Sequence, residues 1–324
     1  MKACIYGAGA IGGWIGSGLA RAGCSVSVLA RGATLDALQL HGLRLHDGKQ
    51  ITSQAVASSD TPAELGVQDL VVLAVKAPSL PEVARQIRPL LGPDTLVMTA
   101  MNGVPWWFLQ GFGGALAGRR LTSVDPDGML AETLPLHHII GCVVHASCSV
   151  DEPGQVQHHF GKQLIVGEPS GEPTARVRQL AALLEKAGFE APVSAQIQKD
   201  IWFKLWGNMT VNPISALTGA TIDRIMDDEL VRGFISRVML EAKEIGARLG
   251  ISIDQQPEDR HQITRKLGAV KTSMLQDVEA GKALELDALV AAVRELGQLT
   301  GVQTPYTDAL LGLARLKARV KGLY

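Results

Sequence analysis

Aromatic residues are scarce, at 4% of a 324-residue chain, and neither sign of charge prevails, since the formal net charge is −1. Without a basic surplus there is no electrostatic footprint for nucleic acid, and without an acidic block there is no solvating tail. No apolar run approaches membrane-spanning length; the longest sheet-like one is Leu70 to Val75. The four cysteines, Cys4, Cys24, Cys142 and Cys148, form no CxxC pair. Each falls in or beside a predicted strand, which fits buried thiols in a reducing compartment better than disulfides. The eight histidines show no HExxH or similar ligand spacing, so any catalysis is expected to be metal-free. The opening residues read as a structural strand, so no signal peptide is expected. Repeats and low-complexity tracts are absent. These exclusions lead to the expectation of a soluble cytoplasmic protein with neither a membrane nor a nucleic-acid partner.

What is present begins at once. Lys2 to Tyr6 is a short apolar run, and Gly7-Ala8-Gly9-Ala10-Ile11-Gly12 follows. Trp14, Ile15, Leu19 and Ala20 then recur at helical spacing, so the order is strand, tight turn, helix. In such a turn Gly7 permits the bend. Gly9 lets the backbone approach a pyrophosphate, and Gly12 lets helix and strand pack closely. The helix N-terminus presents free N–H groups to the phosphates. A second strand, Ser25 to Leu29, ends in Ala30-Arg31-Gly32. Folds that bind NAD place an acid there for the ribose hydroxyls. A guanidinium instead forms forked, charge-assisted bonds to a 2′-phosphate, so Arg31 selects NADP(H).

The length favours two domains. Strands and helices alternate through the first half. Leu35 to Leu40 reads as a helical turn, Leu43 to Leu45 and Ile51 to Ala55 as short strands, and Asp69 to Val75 as a buried parallel strand. Pro81 to Leu91 reads as an amphipathic helix and Thr95 to Ala100 as the next strand. Trp106, Trp107, Phe108 and Leu109 read as an anchoring helix start, since nothing basic lies among them. Ile139 to Val150 and Gly154 to Val166 read as an antiparallel pair joined at Pro153-Gly154. A helix is expected from Ala175 to Ala187. From about Ala195 the periodicity is helical: Lys199 to Ala216, Asp227 to Leu249, His261 to Val278, Glu285 to Leu299 and Thr307 to Val320. The expected boundaries are 1–170 for an NADP-binding Rossmann domain, 171–194 for a connecting helix and linker, and 195–324 for a helical substrate and catalytic domain.

Ligands of doubly wound sheets lie beyond the carboxyl ends of the strands. Lys76 and Asn102 stand at two such ends and would face the nicotinamide half of a cofactor. On the helix from Ile201 to Pro213, Lys204, Asn208 and Asn212 fall at i, i+4 and i+8. They form one polar stripe on an otherwise apolar helix. Burying such a stripe unpaired would be costly, so it should face a wet cleft. A lysine enclosed there has its pKa lowered and can act as a general acid. Pro213 removes a backbone hydrogen bond and is expected to kink the helix. His158 and His159 read as structural, and Glu285 and Asp287 as first-turn acids.

Taken together, these segments resemble the ketopantoate reductases. The matching pieces are Gly7 to Gly12, Arg31, Lys76, Asn102-Gly103, Pro153 to His158 and Gly167-Glu168. They continue with Lys204 to Pro213, Ser273-Met-Leu-Gln-Asp277 and Glu285-Leu-Asp287, in family order over nearly the whole chain. The resemblance implies a Rossmann-type α/β N-terminal domain, an all-helical C-terminal domain like that of 6-phosphogluconate dehydrogenase, and a cleft between. It implies hydride transfer from NADPH to the keto carbon of a 2-oxo acid, most simply ketopantoate to D-pantoate on the route to coenzyme A. By the same resemblance Lys204 is the proton donor, and Asn102 touches cofactor and substrate. Asn208, Asn212 and Ser273 hold the substrate. Glu285 contacts the cofactor and positions the substrate, and Lys76 and Ser147 line the cofactor side. Gly7, Ala8, Gly9, Ala10, Ile11 and Gly12 form the dinucleotide turn. The chain departs from the pattern at Leu284, Val290 and Ala291, where Thr and Asn-Gly are usual, and at Thr221-Ile222-Asp223, where a substrate-binding Asn is usual. Those departures suggest a less polar acceptor pocket and keep open a paralogue acting on another 2-oxo or 2-hydroxy acid. A protein that senses NADP(H) without catalysis is the non-enzymatic alternative. The expected assembly is a monomer or a homodimer.

Overall fold

In the computed structural model, which describes residues 1–324, the opening apolar run is strand β1 (Lys2–Tyr6). Helix α1 (Ala10–Arg21), strand β2 (Ser25–Leu29) and helix α2 (Gly32–His41) follow. Next come β3 (Leu43–His46), β4 (Ile51–Gln54), β5 (Ala57–Ser59) and α3 (Pro62–Leu65). The four residues of β6 (Leu70–Leu73) are all buried, as an apolar run in a parallel sheet must be. After it lie α4 (Leu80–Gln86), β7 (Leu96–Thr99), α5 (Met129–Thr133), the long strands β8 (Ile139–Glu152) and β9 (Gln155–Gly167), and α6 (Ala175–Lys186).

The nine strands make one sheet in the order β4-β3-β9-β8-β7-β6-β1-β2-β5. From β5 to β8 all neighbours are parallel, in the doubly wound order of a dinucleotide-binding fold. The turn at Pro153-Gly154 reverses the chain, so β8 and β9 pair antiparallel, and β3 joins the outer edge of β9. Strand β5 is too short and polar to announce itself in the sequence. One face of the sheet is sealed by Trp14, Ile15 and Leu19 of α1 and by Val177, Leu180 and Leu184 of α6. Glu168, 3% exposed, receives Nε and Nη2 of Arg176 at 2.7 and 2.5 Å, which ties α6 to the end of β9. His158 stacks flat on Trp14 at 5.4 Å and is structural, as the sequence suggests. No disulfide forms, and burial pushes Cys4 up to about 11 and Cys148 up to about 12, which keeps both protonated and inert.

The chain clusters into two compact units, Met1–Met101 with Met129–Ile197, and Asn102–Gly128 with Gln198–Tyr324. Helices of the second follow α7 (Ile197–Thr218): α8 (Ile222–Asp227), α9 (Glu229–Arg248), α10 (Pro257–Arg265), α11 (Ser273–Glu279), α12 (Ala292–Thr300) and α13 (Pro305–Val320). No helix of the protein is long and apolar enough to cross a membrane. The expected single helix from His261 to Val278 is two, α10 and α11. Gly268, at φ +70°, ends the first run, and the carbonyls of Gly268 and Val270 accept Asp223 and Ile222 N–H at the start of α8. The break therefore satisfies donors that α8 would otherwise leave orphaned. Trp106 to Leu109 are buried as expected, but in turns rather than in a helix. Helix α7 runs through Pro213 without interruption.

Two indoles fix the rotation of α7. Trp202 Nε1 donates to Ala242 O at 3.2 Å, and Trp206 Nε1 donates to Met239 O at 2.7 Å, both on α9. Phe108 packs on Trp202 at 5.9 Å between ring centroids. At roughly 100° per residue, Lys204 lies on the opposite side of the helix from both tryptophans. Trp206→Ala should therefore cost about 3–5 kcal/mol in urea unfolding, through cavity formation in the helical unit. A loss under about 1 kcal/mol, no more than one hydrogen bond is worth, would show that the indole is not the anchor.

Candidate active site

In the first unit the glycine turn has the shape that a phosphate cradle requires. Gly7 sits at φ +106°, and a Cβ there would lie 2.8 Å from Ala74 O. A Cβ on Gly12 would overlap the Gly7 carbonyl oxygen, whereas a Cβ on Gly9 would meet nothing within 4 Å. So Gly7 and Gly12 are required by the fold, and Gly9 faces open space where a ligand backbone could approach. Helix α1 begins at Ala10 with no side-chain cap and no acid in its first turn, leaving its N–H groups to an anion. Tyr6, immediately before the turn, is 4% exposed, and its hydroxyl finds no partner in the protein. These observations fit a bound dinucleotide.

Arg31 occupies the residue before α2, and its side chain pairs with Glu82 of α4, Nη2 to Oε1 at 2.7 Å. The guanidinium holds the Glu82 carboxyl below the usual carboxylate range, so the pair stays charged at neutral pH. Lys76 follows β6, and the backbone turns directly after it into a short 3₁₀ segment, Ala77–Ser79. Ser147 lies on β8 where the pairing with β9 slips register on both sides of it. Such bulges re-aim side chains and recur beside active sites.

In the second unit Lys204 Nζ donates to Asn102 Oδ1 at 2.8 Å. Two residues singled out independently in the sequence, a hundred positions apart, therefore meet. Asn102 is held by its neighbour. Gly103, at φ +86°, packs with no room for a side chain, since a Cβ would lie 2.7 Å from both Cβ and O of Ala288. Val104 N–H then donates to Ala288 O at 2.8 Å. Ala288 belongs to a π-helical turn, Asp287–Ala291, where an ordinary helix was expected from Glu285 onward. The wider turn frees a carbonyl for Val104, and π-turns are frequent at functional sites. Glu285, two residues before that turn, is 6% exposed and is no ordinary first-turn acid on a solvated surface.

Asn208 is half-buried and Asn212 is buried. The stripe thus opens at Lys204 and Asn208 and closes at Asn212. Ser273 was expected near a helix end; it is the exposed first residue of α11, which Thr272 caps by accepting Leu275 N–H at 3.2 Å. Leu284 and Val290, two of the departures from the family pattern, are core residues, 4% and 0% exposed. Sequence reasoning passed over Tyr6 and Glu82. A polar-tipped ring ending a buried strand was a usable signal for Tyr6. Nothing local distinguishes Glu82 from a first-turn acid.

The comparisons with known proteins follow this geometry. The family described as ketopantoate reductase PanE/ApbA matches residues 3–107, and its C-terminal counterpart matches residues 196–318. A 2-dehydropantoate 2-reductase of Mesorhizobium japonicum is 47% identical, covering all of both chains. The chain belongs to the ketopantoate reductase family. Among solved structures, a putative ketopantoate reductase from Ralstonia solanacearum MolK2 is 54% identical with a TM-score of 0.96, over 100% of this chain and 99% of that one. The 2-dehydropantoate 2-reductase of Geobacter metallireducens GS-15 is 26% identical with a TM-score of 0.86, over 98% and 100%. Membership establishes the two-part fold, a Rossmann-type unit and a helical unit, and an oxidoreductase.

The cradle makes a separable prediction. Gly9→Ala should leave unfolding free energy within about 0.5 kcal/mol of the parent, because the new methyl meets nothing, while weakening dinucleotide binding. Gly12→Ala should destabilise by about 1–3 kcal/mol or more through overpacking. Equal stability losses in the two variants, read by denaturant titration, would refute the assignment of Gly9 to the ligand.

Proposed function

We propose that the protein reduces 2-dehydropantoate (ketopantoate) to D-pantoate with NADPH. The observation that carries this reading is the Lys204–Asn102 hydrogen bond, a fixed ammonium on a largely buried helix. The names of its relatives agree with it. When bound, NADPH supplies a hydride to the keto carbon of the substrate.

The residues of this chain do the rest. Lys204 directs its ammonium at the keto oxygen and gives up a proton as negative charge gathers there. Asn102 accepts from Lys204 and so fixes the Nζ position before substrate arrives, at no cost during reaction. Asn208, Asn212 and Ser273 bind the substrate hydroxyl and carboxylate. Glu285 borders both cofactor and substrate. In the first unit the Gly7–Gly12 turn takes the pyrophosphate, with Ala8, Ala10 and Ile11 supplying backbone around it. Arg31 takes the 2′-phosphate, and Lys76 and Ser147 line the nicotinamide side.

NADPH oxidation followed at 340 nm with ketopantoate and a panel of other 2-oxo acids tests the substrate. Turnover of another acid in preference to ketopantoate would replace this choice and favour the paralogue reading. Lys204→Ala should lower kcat by about 10²–10⁴, as expected for a lost proton donor, with NADPH affinity nearly unchanged. Comparable loss of cofactor binding would contradict the role. Retained turnover would leave Lys204 outside the chemistry.

A further inference from the structure

Beneath the ends of β1 and β2 lies a cavity of about 140 Å³ whose lining includes Tyr6, Arg31, Ser79 and Glu82. It has the features of a ligand seat. The Tyr6 hydroxyl is buried without a protein partner, and burial pushes its pKa up to about 12, so it remains a donor at any working pH. A buried donor left unpaired is costly unless something completes it. Arg31 stands at the rim, at the position from which a dinucleotide fold reads the ribose.

Arg31 already has an anion. Glu82 Oε1 lies 2.7 Å from its Nη2, and both side chains are about half exposed, at 44% and 54%. The two residues come from different elements, Glu82 from the first turn of α4 and Arg31 from the start of α2. A 2′-phosphate approaching this guanidinium meets a carboxylate holding one of its nitrogens. It must displace that carboxylate or share the fork with it, against like-charge repulsion. A ribose bearing only hydroxyls faces no such competition, because the same carboxylate can accept from them as acids do in NAD-binding folds.

We propose that Glu82 is a specificity-determining residue. It competes with the cofactor's 2′-phosphate for Arg31 and so lowers the preference for the phosphorylated dinucleotide below what Arg31 alone would give. The inference rests on the cofactor reading above. An ion pair this exposed is weak, so it yields to phosphate rather than blocking it. The chain therefore keeps an arginine that selects NADP(H) and, beside it, a counterweight to that selection.

Calorimetric titration of the full-length protein with NADP⁺ and with NAD⁺ tests this, using the parent, R31A, E82Q and R31A/E82Q. The parent should prefer NADP⁺, and R31A should lose most of that preference. E82Q should bind NADP⁺ more tightly by roughly two- to fivefold, the scale of an exposed pair, with NAD⁺ bound no more tightly. That gain should vanish in the R31A background. If E82Q binds NADP⁺ equally or more weakly, Glu82 does not compete but only orients Arg31, and the inference is overturned. A gain that survives in R31A/E82Q also overturns it, since Arg31 would then not be the contested group. A parent that binds neither dinucleotide overturns the cofactor reading itself, an outcome distinct from an indifferent E82Q.

Discussion

The orientation of one helix governs the helical unit. Helix α7 is buried on nearly every side, so burial alone does not say which face does what. The two indole N–H groups decide it. Trp202 and Trp206 reach carbonyls of α9, and a directional bond fixes rotation where apolar contact would tolerate several settings. With those two side chains committed, Lys204 must emerge opposite them. The Asn102 carbonyl oxygen then receives its ammonium, and Asn102 is in turn seated by Gly103 against the π-turn. Each step leaves the next little freedom. The Lys204 ammonium is placed by packing several residues away rather than by its own flexible stem.

The nucleotide cradle works on a different principle. There the absence of side chains does the positioning. Gly7 and Gly12 bring strand, turn and helix so close that a single methyl would overlap backbone or crowd a neighbouring carbonyl, while Gly9 leaves its space open. The sheet behind it is held by burial of apolar residues of β1 and β6, and by the sealed face where α1 meets Phe189 and α6. A rigid floor of this kind lets unpaired N–H groups at the start of α1 stay aimed at one place without a ligand to hold them.

Much of this was readable from residue order, and the exceptions have identifiable causes. The glycine turn, the buried strand β6, the antiparallel pair β8–β9 and the Lys204 stripe all rest on local spacing, which sequence preserves. The π-turn after Glu285 does not. Its pattern fits an ordinary helix, and the acceptor that the wider turn offers to Val104 comes from a segment remote in sequence. The division between α10 and α11 is similar: α8 needs acceptors that are remote in sequence. Glu82 has no local signature for the same reason, since its meaning comes from Arg31, which is remote along the chain. Ser273 falls inside the run from His261 to Val278 by periodicity, whereas the Thr272 cap makes it the first residue of α11. Leu284 and Val290, where the family usually carries polar residues, are 4% and 0% exposed, a burial that their positions in the sequence do not reveal.

The path of the chain between its two units carries a consequence for anyone who would cut it. Residues 102–128 belong with the helical unit although they are encoded in the midst of the sheet. They bring Trp106, Trp107 and Phe108, all buried, to that unit. No single scission can therefore liberate either half intact. A fragment ending near residue 197 would carry three stranded aromatic rings, and its complement would expose the hollow that received them. Fragments made that way would stick to one another before they folded.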